Sequence, residues 1–227
     1  MHRSLCLWLL LGASCLAQDW KPLFDGKTMS GWTKASFGGS GEVEIEEGAF
    51  VLNQGLLTGV NYTNSIPTSN YEVELEARRV AGTDFFCGLT FPVKDAFATL
   101  IVGGWGGSVI GISSLDGLDA ANNETTQHRR FEAGKWYRIR LRVTGEALTV
   151  WLDDKEISRA DIRSKKVSLR PGDIELSKPF GFASYGTTAE LRHIRIKTLS
   201  SSGAVKAAVG ASTPSSKSEV KGSKPAP

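Results

Sequence analysis

Cysteine is scarce in this 227-residue chain, which has only three. Two of them, Cys6 and Cys15, fall in an apolar amino-terminal run. Once that run is removed, Cys87 is alone, no internal disulfide can form, and stability has to come from packing. Cys87 lies in Phe85-Phe86-Cys87-Gly88-Leu89 with no histidine nearby, so it reads as a small buried hydrophobe rather than a nucleophile. The chain also lacks a real excess of charge. Its formal +3 comes from its ends: setting aside Arg3, Lys206, Lys217, Lys221, Lys224 and Glu219 leaves 22 basic against 23 acidic residues. A body so balanced has no field to hold a polyanion, which excludes a nucleic-acid-binding domain. Beyond the first residues no apolar run approaches the ~20 needed to span a bilayer. Sustained 3.6-residue periodicity is missing as well, and no internal repeat is visible.

What is present begins with a secretory leader. His2 and Arg3 form a short basic segment, Leu5 to Leu16 an apolar one, and Cys15-Leu16-Ala17 a small-x-small cleavage site. Residues 1–17 are therefore expected to be a signal peptide, with the mature chain starting near Gln18 and the protein secreted or periplasmic. A lipoprotein would keep Cys15, but Gly12 stands where that signal wants leucine. The remainder has ordinary globular composition, 41% hydrophobic and 22% charged, and can support one sizeable core.

From residue 19 to about 199 the pattern is one of short strands. Tyr71 to Ala77 alternates strictly, and Tyr137, Ile139, Leu141 and Val143 alternate with Arg138, Arg140 and Arg142. The three arginines read as a solvated face, or else as the lining of a groove for acidic sugars. Leu148 to Leu152 runs through Asp153-Asp154-Lys155 into Glu156-Ile157-Ser158 as a hairpin. Segments 85–92, 97–102 and 108–113 are apolar on both faces, as central strands of a two-layer stack would be. Glu190 to Lys197 closes the domain, and simple alternation puts His193 on the face of Leu191 and Arg195, at the surface or half-buried. Ten or more strands without helices predict an all-β, two-sheet antiparallel jelly-roll sandwich over residues 18–199. Residues 200–227, rich in Ser, Lys, Ala, Gly and Pro, cannot bury enough surface to offset ordering entropy. They are expected to be a disordered C-terminal tail, a solubilising end with weak contact to the cell envelope as the alternative.

Leu23-Phe24-Asp25-Gly26-Lys27-Thr28-Met29-Ser30-Gly31-Trp32 resembles the opening signature of the 3-keto-disaccharide hydrolase domain family. Phe180 to Gly186 and Leu191 to Leu199 resemble its closing strand pair. The resemblance implies a concanavalin A-like jelly roll that acts on glycosides oxidised to a ketone at C3. The ketone acidifies the C2 proton, so removal of that proton expels the C1 oxygen; this needs a base near C2 and a dipole or cation for the enolate. The chain departs from the family in three places. Ala183-Ser184-Tyr185 stands where members carry Gln-Asp-His, Ala98 to Val102 where they carry Glu-x-Gln, and Phe86-Cys87-Gly88 where Asn-Ser-Gly is frequent. Asp25 and Trp32 read as a turn former and a core plug.

Two features stand out as site candidates. Trp105, set among Gly103, Gly104, Gly106 and Gly107, either offers a bare indole face to a sugar or covers the sheet. The loop 116–126 collects Asp116, Asp119, Asn122, Asn123 and Glu124, oxygen donors for Ca²⁺ or sugar hydroxyls, or else a plain solvated turn. Glu124 and Asp119 are the candidate bases, with Asp116, Asn122, His128, Trp105 and Tyr185 as candidate carbohydrate contacts. Two functions stay open: a hydrolase or lyase of 3-keto-glycosides, and a lectin-like carbohydrate-binding module. Neither requires a cofactor that the sequence shows.

Overall fold

Fifteen strands and one short 3-10 turn follow one another along residues 19–200, the span that the computed structural model describes. The expected leader and the tail from residue 201 lie outside the described residues. The strands are β1 (Lys21–Pro22), β2 (Trp32–Lys34), β3 (Val43–Glu46), β4 (Ala49–Leu52), β5 (Leu57–Tyr62), β6 (Tyr71–Gly82), β7 (Cys87–Val93), β8 (Ala96–Gly104), β9 (Val109–Ser113), β10 (Gln127–His128), β11 (Tyr137–Val143), β12 (Ala147–Leu152), β13 (Lys155–Asp161), β14 (Gly181–Tyr185) and β15 (Thr187–Thr198). The 3-10 turn spans Asp173–Ser177. Every strand pairing is antiparallel. The first sheet runs β13-β12-β11-β6-β15-β4-β3 with β1 added to β15, and the second runs β10-β9-β8-β7-β14-β5-β2. This is the two-sheet sandwich that the alternating segments predict. Among the described residues no helix is long and apolar enough to cross a membrane.

The core lies where the period-two pattern puts it. Tyr71, Val73, Leu75 and Ala77 of β6 face inward with Tyr137, Ile139, Leu141 and Val143 of β11, and meet Cys87, Leu89, Phe91, Leu100, Ile112 and Phe182 from the second sheet. The outer face of the first sheet is charge-matched by register. Glu72, Glu74 and Glu76 sit opposite Arg142, Arg140 and Arg138 on one side and Lys197, Arg195 and Arg192 on the other. Glu72 pairs with Arg142 at 2.5 Å and Lys197 at 2.9 Å, Glu76 pairs with Arg192 at 2.8 Å, and Glu74 pairs with Arg195. Arg140 and Arg142 also lie over Trp151, at 4.4 and 5.0 Å from the ring centre. Of the β11 arginines, Arg142 thus pairs with Glu72, Arg138 pairs with Asp154 at 2.9 Å in the hairpin turn, and Arg140 lies over Trp151.

One alternation fails. The register of β15 on β6 shifts between Arg192 and Arg195, and His193 has φ 53°, so a β-bulge interrupts the strand. The extra residue turns His193 outward while Leu191 and Ile194 are both buried, so His193 does not share a face with Leu191. Its Nδ1 reaches Glu76 Oε2 at 3.2 Å.

The opening motif is structural. Asp25 folds the chain by accepting the backbone N–H groups of Lys27 and Thr28, both at 2.8 Å, and the Thr28 hydroxyl at 2.7 Å. The Thr28 hydroxyl, with the two amides behind it, holds the Asp25 carboxyl at about 2. A carboxyl depressed by folding stabilises the native state fully above its unfolded pKa and loses that contribution as pH falls through its folded value. The stability difference between wild type and Asp25→Asn is therefore expected to be constant at neutral pH and to shrink as pH drops from about 4 to about 2. Urea denaturation across that range measures it, and a pH-independent difference would overturn the assignment.

Candidate functional site

The outer face of the second sheet is built of small and hydroxylated residues. Cross-strand register lines up Asn61, Gly181, Thr90, Thr99 and Ser113 in one row, and Gly59, Ala183, Gly88, Ile101 and Gly111 in the next. So flat a surface lets loops settle directly onto it. At Gly59, Cβ of any other residue would fall 3.0 Å from the Phe37 ring; at Gly111, it would fall 2.3 Å from the Ala120 carbonyl oxygen. Phe37 and Ala35 cap Ala183 beside Leu57, Phe85 and Ile174.

What the loops leave uncovered is a groove of about 360 Å³. Its floor is Leu57, Thr99, Ile101 and Ser113. Phe85, Tyr185 and Trp105 line it too, together with Asp84 and the segment Arg170 to Ile174. Trp105 occupies the turn joining β8 to β9 in the left-handed region, φ 50°, a conformation that bulky side chains seldom take. Its indole remains 39% exposed, with the Arg170 guanidinium 5.8 Å from the ring centre. Tyr185, 45% exposed, stacks on Phe85 with centroids 5.9 Å apart and planes 24° apart. Two aromatic faces thus open on one groove, next to the hydroxyls of Thr99 and Ser113. Its charged groups are Asp84, Asp173 and Arg170. Asp84 is already engaged, accepting Phe85 N–H at 2.8 Å and Gly106 N–H at 3.1 Å.

Of the residues singled out in the sequence, Trp105 and Tyr185 come together here; the others lie elsewhere. Asp116 accepts Lys166 N–H at 2.8 Å and Lys165 Nζ at 3.2 Å; the amide, with Lys165, holds its carboxyl below the usual range. Lys165 also pairs with Glu124 at 2.9 Å. Asp119 caps its own turn through Ala121 N–H and Asn122 Nδ2. Asn123 and Thr125 tie the loop to β9 through the carbonyl and N–H of Ile112. A cation on this loop would have to displace Lys165 from two carboxylates, and among the described residues no three His, Cys, Asp or Glu side chains assemble as a ligand set. His128, on β10, is exposed and lines a separate cavity.

Arg170, Asp173, Asp84 and Phe85 carried no motif that points to the groove. The Arg170-Pro171-Gly172-Asp173 run signals only a turn, and where that turn lands depends on packing. Cys87, by contrast, is where its neighbours suggest: buried, with its thiol pushed up to about 12 by burial. It is expected to resist iodoacetamide at pH 8 in the native protein and to react in urea, as mass spectrometry of its peptide would show.

Comparison with known proteins fits this architecture. The fold is shared with a candidate glycosyl hydrolase from Parabacteroides distasonis ATCC 8503, at 13% identity over 80% of this chain and 94% of that one, TM-score 0.53. It is shared with the Crh5 transglycosylase, at 9% identity over 81% and 84%, TM-score 0.52. The carbohydrate recognition domain of Emp46p aligns at 15% identity over 80% and 98%, TM-score 0.50. No curated protein matches the sequence. With residues 19–197 matching its signature from the Asp25 turn to the closing strand, the chain belongs to the 3-keto-alpha-glucoside-1,2-lyase-like domain family.

Proposed function

We propose that this domain binds carbohydrate in the groove between Trp105 and Tyr185, as a carbohydrate-binding module on a lyase-like scaffold. The observation that carries the reading is the convergence of two exposed aromatic faces on one groove edged by hydroxyls. Sugar rings present C–H faces to aromatic rings and hydroxyls to polar neighbours, and this groove offers both. Family positions support a binding role over a catalytic one. Where members carry Glu-x-Gln and Gln-Asp-His, this chain presents Thr99, Ile101 and Tyr185 to the groove and buries Ala183 under Phe37, with no carboxylate or imidazole among them. Export through the leader belongs to the same proposal, supported by the basic, apolar and small-residue order of residues 1–17.

A specific observation favours elimination as a second reading: Arg170 and Asp173 face the groove from one loop. In that reading Asp173 takes the C2 proton of a 3-keto-glycoside and the electron pair moves onto the C3 oxygen near Arg170; its return restores the C3 carbonyl and forms a C1=C2 double bond as the C1–O bond breaks, and the leaving oxygen takes the proton that Asp173 now holds. Titrating neutral glycosides and 3-keto-glucosides into the full chain, while assaying the same samples for product, tests both. Saturable binding without product supports the module. Turnover lost in Asp173→Asn replaces it with the lyase, and the absence of any sugar binding overturns both.

A further inference from the structure

The turn that carries Trp105 has another side. Gly106, Gly107 and Ser108 border a cavity of about 390 Å³ with Arg79 from β6 and His128, Arg129, Arg130 and Phe131. Arg79 is only 8% exposed. Its Nη2 donates to the Gly107 carbonyl at 3.0 Å and its guanidinium carbon lies 5.6 Å from the Phe86 ring centre, but its Nε is buried without a partner. Among the described residues no carboxylate forms an ion pair with Arg79 or Arg130. Asp84, whose charge reaches Arg79, spends its oxygens on two backbone amides. Arg129 pairs with Asp153 at 2.9 Å, and His128 adds a further donor at the rim. Room for the guanidinium is kept by Gly107, at φ 106°, where a Cβ would lie 2.6 Å from Arg79 Nη1 and 2.8 Å from the Thr83 carbonyl oxygen.

A buried guanidinium normally has a carboxylate to offset the loss of water. Here two unpaired guanidiniums, one of them buried, converge on a cavity, an arrangement that suits an arriving anion. The cavity adjoins the groove, since Trp105 lines one and Gly106 the other. We infer that this cavity is an oxyanion site that takes the acidic substituent, carboxylate or sulfate, of a glycan whose neighbouring ring lies on Trp105. The glycan half rests on the carbohydrate reading of the groove.

The test compares a glucuronate-containing disaccharide, its neutral twin and free sodium sulfate, titrated into the full chain at fixed ionic strength. The acidic disaccharide is expected to bind about tenfold tighter than the neutral one. Arg130→Ala, at an exposed position, should reduce that preference several-fold, on the order of the loss of one charged contact; Arg79→Met should abolish it. Trp105→Ala should weaken both sugars while leaving sulfate binding intact. If Arg79→Met does not fold, Arg130→Ala and the shift of the His128 ring resonances on adding sulfate decide the matter. Equal affinity for the two disaccharides, with no response to sulfate, overturns the oxyanion site but leaves the groove standing. Arg79-dependent sulfate binding without binding of either sugar upholds the oxyanion site and overturns the glycan.

Discussion

Replacing Trp105 with alanine is expected to weaken sugar binding by about 2 kcal/mol, roughly 30-fold in Kd, while leaving the fold intact. The indole is the largest side chain among the groove's lining residues, and it is set on a hairpin turn outside the core clusters. Its loss removes a stacking face without opening a core cavity, so stability should change by less than about 1 kcal/mol. Alanine also tolerates the left-handed backbone there no worse than tryptophan does. Tyr185→Ala should reduce affinity less, because Phe85 remains behind it in the same wall. Glu124→Gln should have no effect on binding, since that carboxylate is occupied by Lys165 away from the groove lining. Calorimetric titration of the three variants separates these expectations. Full affinity in Trp105→Ala would remove the groove from consideration as the binding site.

Trp32→Ala should have the largest effect on stability, on the order of 4 kcal/mol or more. The buried indole touches Phe50 of the first sheet at 5.4 Å between centroids, and Tyr62 and Phe182 of the second at 5.0 and 5.9 Å. Its Nε1–H donates to the Leu23 carbonyl at 2.8 Å, and Leu23 N–H in turn bonds to Ile194 in β15. Truncation therefore opens a cavity between the sheets and strands a buried carbonyl. Against a typical total of about 5–15 kcal/mol, such a loss brings the domain close to unfolding. Trp32→Phe should recover most of the packing and lose the hydrogen bond, about 1–3 kcal/mol. Urea denaturation followed by circular dichroism measures both. A loss below about 1.5 kcal/mol for alanine would show that the aromatic cluster does not hold the two sheets together.

The two tryptophans mark what could be read from the chain. Alternation along β6 and β11 is a local property set by the pleat, so inward Val73, Leu75, Ile139 and Leu141 were visible before any pairing was known. The Asp25 turn is local in the same way, closing within three residues. The sequence by itself determined the all-β class, the sandwich, the buried thiol and the structural part of the opening motif, because each depends on residues close in the chain or on their polarity alone. It could not show that β15 bulges at His193, since a bulge depends on register against β6. Nor could it show that Asp116 and Glu124 would both be held by Lys165, more than 40 residues on. Only the tertiary structure decided where the site lies. The groove takes Leu57, Phe85, Trp105, Arg170 and Tyr185 from five separate segments, and the pairing of β5, β14, β7, β8 and β9 brings them to one face. Long-range strand pairing is set by the summed burial of the whole core, so no single stretch of sequence carries it.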